Sequence, residues 1–273
     1  MNKKKIENKR VIITGASSGI GESLAREYAS IGAKVVLGAR QEEKLKEITA
    51  EIKAQGGEAV YCKCDVVDVD DCKQLIDTAV EAYGGVDILI CNAGLSMRAL
   101  FDDLDLAVLH RLMDVNFWGC VNCVKFALPY IQESKGSIVG VSSVAGLHGL
   151  PARTGYSASK FAMTGFLETI RIENLKKDVH VMISCPGFTA SNVRLSALTA
   201  DGTSQGETPR EEDKMMTSQQ VAQIIMRDTA KRKRLCLMEF DGRATHFIKK
   251  FFPTFLDKMF YSHMAKEPDS PLK

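Results

Sequence analysis

The chain reads Val11-Ile12-Ile13-Thr14-Gly15-Ala16-Ser17-Ser18-Gly19-Ile20-Gly21 near its start, and this stretch decides the fold. A β-branched run ends in a glycine-rich turn and a helical pattern follows, which is the context that a dinucleotide-binding fingerprint requires. Gly15 allows the tight turn, Gly19 lets the backbone approach a pyrophosphate, and Gly21 allows close packing of the helix on the sheet. N–H groups at the helix start then bind phosphates. The residues that we expect to bind them are Gly15, Ser17, Ser18, Gly19, Ile20 and Gly21.

Short β-branched runs alternate with longer helical patterns through the first 190 residues. The runs show little alternation of polar and apolar positions, as expected for strands buried on both faces. Strands are predicted over residues 10–14, 34–39, 58–65, 86–91, 136–142, 180–185 and 234–240, and helices over 20–31, 41–55, 68–83, 104–134 and 154–177. This order predicts an α/β Rossmann fold, a single doubly wound parallel sheet of about seven strands with helices on both faces.

The composition is ordinary for a soluble globular protein, with 45% hydrophobic and 26% charged residues among 273. The formal net charge of +2 is too balanced to favour nucleic acid as the main partner. The sequence has no run of 18 or more apolar residues, and its basic start leads into the first strand without the apolar region of a secretory signal. We therefore expect a cytoplasmic protein without a spanning helix.

Most of the eight cysteines lie inside apolar strand-like or helical runs, which is typical of buried thiols in a reducing compartment. The stretch Cys120-Val121-Asn122-Cys123 has CxxC spacing. Neither a second CxxC nor paired histidines accompany it, and the pattern places it inside a helix. We expect buried thiols here and no metal site.

Tyr156 and Lys160 point most directly to chemistry. Four positions on a helix make about one turn, so both side chains leave the same face as neighbours. A free tyrosine ionises near pH 10, and a nearby positive charge favours the phenolate. We therefore expect Lys160 to lower the pKa of Tyr156, so that the phenol exchanges a proton with an alcohol or carbonyl oxygen near neutral pH. The YxxxK spacing alone is a weak signal, because it arises by chance on many exposed helix faces.

The TGxxxGxG pattern that begins at Thr14, together with Tyr156 and Lys160, resembles the short-chain dehydrogenase/reductase family. The family's other motifs recur in order as far as Ser191. The resemblance implies an adenine contact after the third strand, a NAG segment after the fourth, and a Pro-Gly pair with hydroxyl side chains after the sixth: Asp65, Val66, Asn92, Ala93, Gly94, Pro186, Gly187, Thr189 and Ser191. Two positions depart from the family pattern, Cys91 for an asparagine and Ser191 for a threonine, and neither affects the catalytic set.

The same resemblance implies a catalytic set of Asn116, Ser143, Tyr156 and Lys160. Hydride moves between a carbinol carbon and the nicotinamide, and Tyr156 transfers the proton of the substrate oxygen. Ser143 lies thirteen residues before Tyr156 and donates a hydrogen bond to that oxygen. Lys160 bonds the nicotinamide ribose, so it and Tyr156 are also cofactor contacts. Asn116 completes a proton relay through water.

The end of the second predicted strand indicates which cofactor is used. An NAD enzyme of this kind places an acidic residue there, which accepts a hydrogen bond from the ribose 2′-OH and repels a 2′-phosphate. This chain has Ala39 at that position, followed by Arg40. A guanidinium pairs with a phosphate through two hydrogen bonds. The sequence therefore predicts NADP(H), with Ser17 as a further phosphate ligand.

The predicted catalytic domain covers residues 1–241 and includes a polar segment, 197–216, that we interpret as a substrate lid. We expect an oxidoreductase that transfers a hydride between NADP(H) and a secondary alcohol or ketone. Several candidate pocket residues are apolar, which favours a hydrophobic carbonyl substrate. These candidates are Leu95, Ser96, Met97, Ala145, Leu147, His148, Leu150 and Phe188.

Residues 242–273 form an aromatic and basic extension. Phe247, Phe251 and Phe255 recur every four residues, with lysines among them and Pro253 breaking the run. Three roles remain open: a helix pair that closes over the substrate pocket, a packing or dimer element, and an anchor at a membrane surface. By resemblance, the two long helices at 104–134 and 154–177 form a homodimer or homotetramer interface.

Two alternatives to a soluble enzyme remain open. A protein that binds NADP(H) as a redox sensor needs no proton donor, so the intact catalytic set argues against it. A reductase associated with a membrane surface is compatible with the same chemistry. An epimerase or dehydratase of the family is less compatible, because such chains carry a further sugar-nucleotide domain.

Overall fold

The computed structural model describes residues 5–190, 196–206, 215–267 and 270–273. In these residues nine strands are present, and seven of them form one parallel sheet. The strands are β1 (Arg10–Thr14), β2 (Lys34–Ala39), β3 (Glu58–Lys63), β4 (Ile88–Cys91), β5 (Ser137–Val141), β6 (His180–Cys185), β7 (Thr189–Ala190), β8 (Met216–Thr217) and β9 (Leu235–Leu237). The short strands β7 and β8 pair with each other outside the main sheet.

The strand order in the main sheet is β3-β2-β1-β4-β5-β6-β9. The chain moves outward from β1 in one direction through β2 and β3, and then crosses to β4 on the other side of β1. This reversal is the topological switch point of an open α/β sheet, where ligands bind outside the carboxyl ends of the strands. Because Ile13 is in register with Ile90, the segments that follow β1 and β4 emerge side by side. The predicted α/β Rossmann fold is confirmed.

Helices pack on both faces of the sheet. They are α1 (Gly19–Ser30), α2 (Glu42–Ala54), α3 (Val69–Tyr83), α4 (Leu106–Met113), α5 (Gly119–Glu133), α6 (Thr154–Glu173), α7 (Ser218–Ala230), α8 (Glu239–Phe251) and α9 (Pro253–Ala265). Leu24, Leu45 and Val221, from α1, α2 and α7, share one core with alternate residues of the strands. Residues of α3, α5 and α6 form the second core on the opposite face. Burial on both faces explains the continuous apolar strands in the sequence.

Several predicted elements differ in their bounds from the observed ones. The helix expected over 104–134 is α4 and α5, joined by a π-helical turn at Asp114–Trp118. The strand expected over 234–240 ends at Leu237, because α8 begins at Glu239. The C-terminal aromatic stretch forms two helices, and Pro253 starts the second, where its missing N–H and fixed φ are tolerated.

Helix α8 spans the boundary predicted between residues 241 and 242, and the division into two units stays a prediction. The helices in the described parts of the chain are all too short or too polar to cross a membrane. All eight cysteines are buried and free of disulfides, which confirms the prediction of buried thiols. Cys120 and Cys123 lie inside α5, as expected.

Candidate active site

The glycine-rich loop after β1 is bonded to the turn after β4. The Thr14 hydroxyl accepts hydrogen bonds from the backbone N–H groups of Asn92 and Ala93, each at 3.0 Å. The Asn92 amide donates in return to the carbonyl oxygens of Thr14 at 2.9 Å and Gly15 at 3.3 Å. The two turns at the switch point are therefore one rigid unit. Sequence reasoning quoted Thr14 only as part of a motif and missed this role of its hydroxyl.

Glycine is required in this loop for two separate reasons. Gly15 and Gly19 have φ values of 65° and 57°, in the left-handed region that favours glycine. Gly21 lies so close to the loop that a Cβ there would overlap the Gly15 carbonyl oxygen. A loop built this way leaves its backbone open to a closely approaching group, which is the arrangement that a pyrophosphate requires.

Ser143, Tyr156 and Lys160 come together beside this unit. Tyr156 and Lys160 project from α6, and the Lys160 Nζ lies 5.8 Å from the centre of the Tyr156 ring. The Lys160 ammonium is buried and donates to the Val141 carbonyl oxygen, at the end of β5, at 2.9 Å. Ser143 follows β5 directly, and its hydroxyl is within hydrogen-bonding reach of the Tyr156 phenol. The geometry thus joins the three side chains into one group that could transfer a proton.

Burial decides the ionisation of this group. It raises the pKa of Tyr156, and the Ser143 hydroxyl and the charge of Arg153 only partly oppose it. Burial also lowers the pKa of Lys160 to about 8, from an ordinary lysine value of 10.5. The expectation of a net lowered pKa for Tyr156 is therefore wrong for the chain as it stands. Removing the phenol from water penalises its charged form more than the neighbouring charges favour it.

Asn116 lies in the π-helical turn between α4 and α5 and is completely buried. Its side-chain oxygen accepts from the Leu95 N–H at 2.7 Å. Its amide nitrogen donates to the Leu95 carbonyl oxygen and to the Ser159 hydroxyl, both at 2.9 Å. Asn116 thus fixes the segment after Gly94 to α6, next to Lys160. π-turns of this kind often occur at functional sites, but no sequence signal separated this one from a regular helix.

Gly94 lies next to both the Asn116 side-chain amide and the Lys160 ammonium. A Cβ placed on it would lie 3.1 Å from the Asn116 side-chain oxygen and 3.3 Å from the Lys160 Nζ. A larger residue would therefore intrude between the amide and the ammonium. This position explains why the third residue of the NAG segment is a glycine.

The other predicted cofactor residues lie at the carboxyl ends of neighbouring strands. Arg40 follows β2 and is exposed, and Asp65 follows β3, where its carboxylate accepts from the Val67 N–H at 3.2 Å. Val66 is buried against Gly119 of α5. Beyond β6, the segment of Pro186, Gly187 and Thr189 runs past Ser143, since the Pro186 carbonyl oxygen accepts from Val144. Ser191 lies outside the described residues.

A small apolar cluster packs against Tyr156. Met97, Leu112 and Leu198 are fully or almost fully buried in it, and Tyr156 packs against it. Residues 197–206, the first part of the predicted lid, are attached to this cluster, because Leu198 pairs with the backbone of Ser96 and Arg98 at 2.9 and 2.8 Å. Residues 207–214 of the predicted lid lie outside the described residues.

The C-terminal helices contact the loop that follows Ser143. The Lys249 ammonium donates to the Leu147 carbonyl oxygen at 2.6 Å. His148 stacks on Phe260 with ring centres 5.0 Å apart, and its Nε2 lies 3.3 Å from an Asp257 carboxylate oxygen. Burial lowers the pKa of His148, although Asp257 opposes this. Sequence reasoning missed all these contacts, because they join residues about 100 positions apart.

Comparison with known proteins decides the family. A family profile described as short chain dehydrogenase matches residues 9–201. This chain belongs to the short-chain dehydrogenase family. The match covers the glycine-rich loop, the segment after β4, Ser143, Tyr156 and Lys160, so it confirms the resemblance found in the sequence.

Curated relatives and a solved structure agree with this assignment. A Dictyostelium discoideum dehydrogenase/reductase SDR family protein 7-like is 33% identical over 271 residues, covering 96% of this chain and 84% of its own. An Arabidopsis thaliana 11-beta-hydroxysteroid dehydrogenase-like 2 is 42% identical over 191 residues, covering 69% of this chain and 61% of its own. An alcohol dehydrogenase from the archaeon Thermococcus sibiricus, complexed with 5-hydroxy-NADP, has a TM-score of 0.71 at 27% identity, covering 84% of this chain and 94% of that one.

Short-chain dehydrogenases are oxidoreductases that act on CH–OH groups with a nicotinamide cofactor, and the residues of this chain fit such a cofactor. Ser18 of the glycine loop is exposed, and Gly19 is half-buried at the start of α1, where backbone N–H groups can bind a phosphate. The exposed Arg40 and the half-buried Asp65 follow β2 and β3, at the carboxyl edge of the sheet where the glycine loop also lies. The Lys160 ammonium lies on the other side of β1, at the end of β5 and near the phenol.

Proposed function

We propose that this short-chain dehydrogenase is an NADP(H)-dependent oxidoreductase that interconverts a secondary alcohol and a ketone, with a hydrophobic carbonyl compound as substrate. The observation that carries the proposal is the meeting of Ser143, Tyr156 and Lys160 beside the glycine-rich loop. A phenol, a hydroxyl and an ammonium grouped in this way can protonate or deprotonate a substrate oxygen while a cofactor is held nearby.

Each side chain has one task in the reduction direction. A nicotinamide cofactor held by the glycine-rich loop would supply the hydride for the carbonyl carbon. Tyr156, kept protonated by its raised pKa, gives its proton to the carbonyl oxygen as negative charge develops there. The Ser143 hydroxyl donates a hydrogen bond to the same oxygen. Lys160 stabilises the phenolate that Tyr156 leaves behind, and Asn116 holds the Leu95 segment in place beside it.

Arg40 supports NADP(H) over NAD(H). It is exposed directly after β2, where its guanidinium can reach a 2′-phosphate, and Ala39 offers no carboxylate to repel one. Ser17, partly exposed in the glycine loop, is placed as a second ligand. The structural neighbour from Thermococcus sibiricus was solved with an NADP derivative, which favours the same choice.

The apolar cluster beside Tyr156 supports a hydrophobic substrate. Met97 and Leu198 belong to a buried apolar cluster against which Tyr156 packs, and apolar surroundings of the phenol favour apolar over sugar-like compounds. The names of several relatives refer to hydroxysteroid dehydrogenases, which is consistent with this substrate class.

We also propose assembly as a homodimer or homotetramer through the helices at 104–134 and 154–177. Trp118 and Ile172 support this, because they expose 51% and 61% of their large apolar surfaces. Sedimentation velocity of the purified protein at several concentrations gives the test. A species that remains a monomer at micromolar concentration would exclude the assembly.

An NADPH-depletion screen tests the activity. The purified protein is mixed with NADPH and a panel of ketones and aldehydes, from small polar ones to steroid-like ones, and absorbance is followed. We expect oxidation of NADPH with at least one hydrophobic ketone, a higher kcat/KM with NADPH than with NADH, and a lower ratio in Arg40→Asp. Binding of NADPH without oxidation across the panel would support the redox-sensor alternative instead. A kcat/KM with NADPH that is equal to or lower than that with NADH would reject NADP(H) as the cofactor.

A further inference from the structure

The C-terminal helix pair α8 and α9 exposes an unusual number of large aromatic side chains. Phe247, Phe251, Phe252 and Phe255 each leave 61–63% of their surface accessible. The rings of Phe247 and Phe251 are adjacent, with centres 5.1 Å apart. We call these four phenylalanines the aromatic face. Several large apolar side chains exposed on one helix pair mark a contact site, whereas single exposed apolar residues need no explanation.

The helix pair attaches to the rest of the protein through other residues. Leu256 and Met264 are buried, at 0% and 2% exposure. Lys249 bonds the Leu147 carbonyl oxygen and also lies 4.8 Å above the ring of Phe161. Since His148 further links the body of the protein to α9, the pair has a docked side, and the aromatic face is what remains outside.

Positive charge surrounds the aromatic face. Lys250 immediately precedes Phe251, and Lys258 lies one helical turn beyond Phe255; both lysines are exposed. Between residues 244 and 266 the sequence has four lysines and a single carboxylate, Asp257, which is next to His148. Phenylalanines flanked by lysines are the composition of a helix that lies in a lipid interface. Two copies facing each other through this surface would instead bring like charges together.

We propose that the aromatic face of α8 and α9 docks this protein on an anionic membrane surface. The phenylalanine rings enter the boundary between headgroups and acyl chains, and Lys250 and Lys258 pair with anionic headgroups. The docked side of the pair stays on the loop after Ser143. Docking does not depend on the chemistry at Tyr156.

Vesicle co-sedimentation of the full chain tests the docking. Vesicles of pure phosphatidylcholine are compared with vesicles that contain about 30% phosphatidylserine. The anionic lipid gives the second set a negative surface potential of about −30 to −50 mV. We expect the protein to sediment with the anionic vesicles and to be released by high salt. The double variant Lys250→Glu/Lys258→Glu should lower the partition coefficient by at least roughly 25-fold, since the loss of each lysine charge alone removes about fivefold and the added carboxylates are repelled.

Matched variants separate docking from general effects of exposed residues. Phe251→Ser/Phe255→Ser should lose most binding, whereas Phe101→Ser, an exposed phenylalanine elsewhere, should bind like the parent. Lys176→Glu/Lys177→Glu makes the same charge change away from α8 and α9 and should have much less effect than the Lys250/Lys258 pair. Tyr156→Phe should bind normally even though it is inactive.

Two results would overturn the proposal. One is equal sedimentation of the parent, Phe251→Ser/Phe255→Ser and Lys250→Glu/Lys258→Glu with anionic vesicles. The other is a lipid-free parent that sediments as a larger species than Phe251→Ser/Phe255→Ser, because the aromatic face would then be an interface between copies of the chain.

Discussion

The Lys160 ammonium donates a hydrogen bond to the Val141 carbonyl oxygen at 2.9 Å inside the protein. The residue is 3% exposed, and burial lowers its pKa to about 8. Weak favourable interactions with three thiols, Cys91, Cys120 and Cys185, do not compensate for the lost water. The protein therefore keeps Lys160 charged at a cost in folding free energy, and Lys160 loses this charge at moderately alkaline pH.

The pH dependence of kcat/KM follows from this ionisation. The profile of kcat/KM reports groups of the free enzyme, and Lys160 is charged below a pKa of about 8 and neutral above it. Tyr156 keeps its proton through this range because its pKa is raised. We therefore expect ketone reduction to have a constant kcat/KM at neutral pH and to fall above about pH 8.

The variant Lys160→Arg is the control for this profile. An arginine stays protonated above pH 12, so any activity that the variant retains should no longer decline near pH 8. An unchanged decline in Lys160→Arg would assign the ionisation to another group.

Lys160 should also limit the stability of the fold. A lysine pKa that falls from 10.5 to about 8 on folding corresponds to roughly 3 kcal/mol of destabilisation. This cost is fully present below about pH 8 and decreases as the pH rises toward 10.5, because the unfolded chain then binds more protons than the native one. Lys160→Met should raise the free energy of unfolding at pH 7 by about 2 kcal/mol, after loss of the hydrogen bond to Val141.

Urea denaturation of parent and Lys160→Met at pH 7 and pH 9.5 measures this effect. The gain in unfolding free energy of Lys160→Met over the parent should be smaller at pH 9.5, since the parent lysine is then neutral in the native state. A variant that is less stable than the parent at both values would contradict the proposed cost of burial.

Much of the fold and part of the site could be predicted from the sequence. Strands such as Val11–Thr14 consist of β-branched residues buried on both faces, so their pattern is local and easily recognised. The glycines have similarly local causes, namely the positive φ at Gly15 and the close helix contact at Gly21. The four-residue spacing placed Tyr156 and Lys160 on one helix face, which the distance of 5.8 Å confirms.

The remainder depends on contacts between distant segments or on burial. The π-helical turn at Asn116 inserts one extra residue in a stretch whose composition is that of an ordinary helix. The effect of burial on Tyr156 exceeds that of its charged neighbours, and a helix wheel does not show burial by another element. The contact of His148 with Asp257 and Phe260 joins two segments with no shared sequence pattern.

Asn116 should be a positioning residue for the site as well as a structural one. Asn116→Ala removes the side-chain partner of the Leu95 N–H and carbonyl oxygen, and the donor to the Ser159 hydroxyl, which still donates to the Tyr156 carbonyl oxygen. These losses should cost about 3 kcal/mol of unfolding free energy. The shifted segment should also lower kcat by about tenfold or more. Asn122→Ala in the adjoining helix α5 removes one hydrogen bond, to the Val66 carbonyl oxygen at 3.2 Å, and should cost only about 1 kcal/mol with little change in kcat. Equal losses of kcat in both variants would contradict the role of Asn116.

The glycine loop gives a prediction about cofactor affinity. Gly21→Ala places a methyl group against the Gly15 carbonyl oxygen, and the loop must shift to relieve the overlap. Strain of about 1–3 kcal/mol should weaken NADPH binding by on the order of tenfold or more, as measured by fluorescence titration. Gly165→Ala in α6, where a Cβ meets nothing within 4 Å, should leave binding unchanged and stabilise the helix slightly. Tight binding by Gly21→Ala would show that the loop does not hold the pyrophosphate.

The rate of ketone reduction by Tyr156→Phe tests the account most directly. Phenylalanine keeps the ring packed against the apolar cluster that contains Met97 and Leu112, and it removes only the proton donor. With a substrate found in the NADPH screen, kcat/KM should fall by about 10³-fold while NADPH still binds with an affinity within about threefold of the parent. Rates that are equal in parent and variant would contradict the assignment of Tyr156 as the group that transfers the proton.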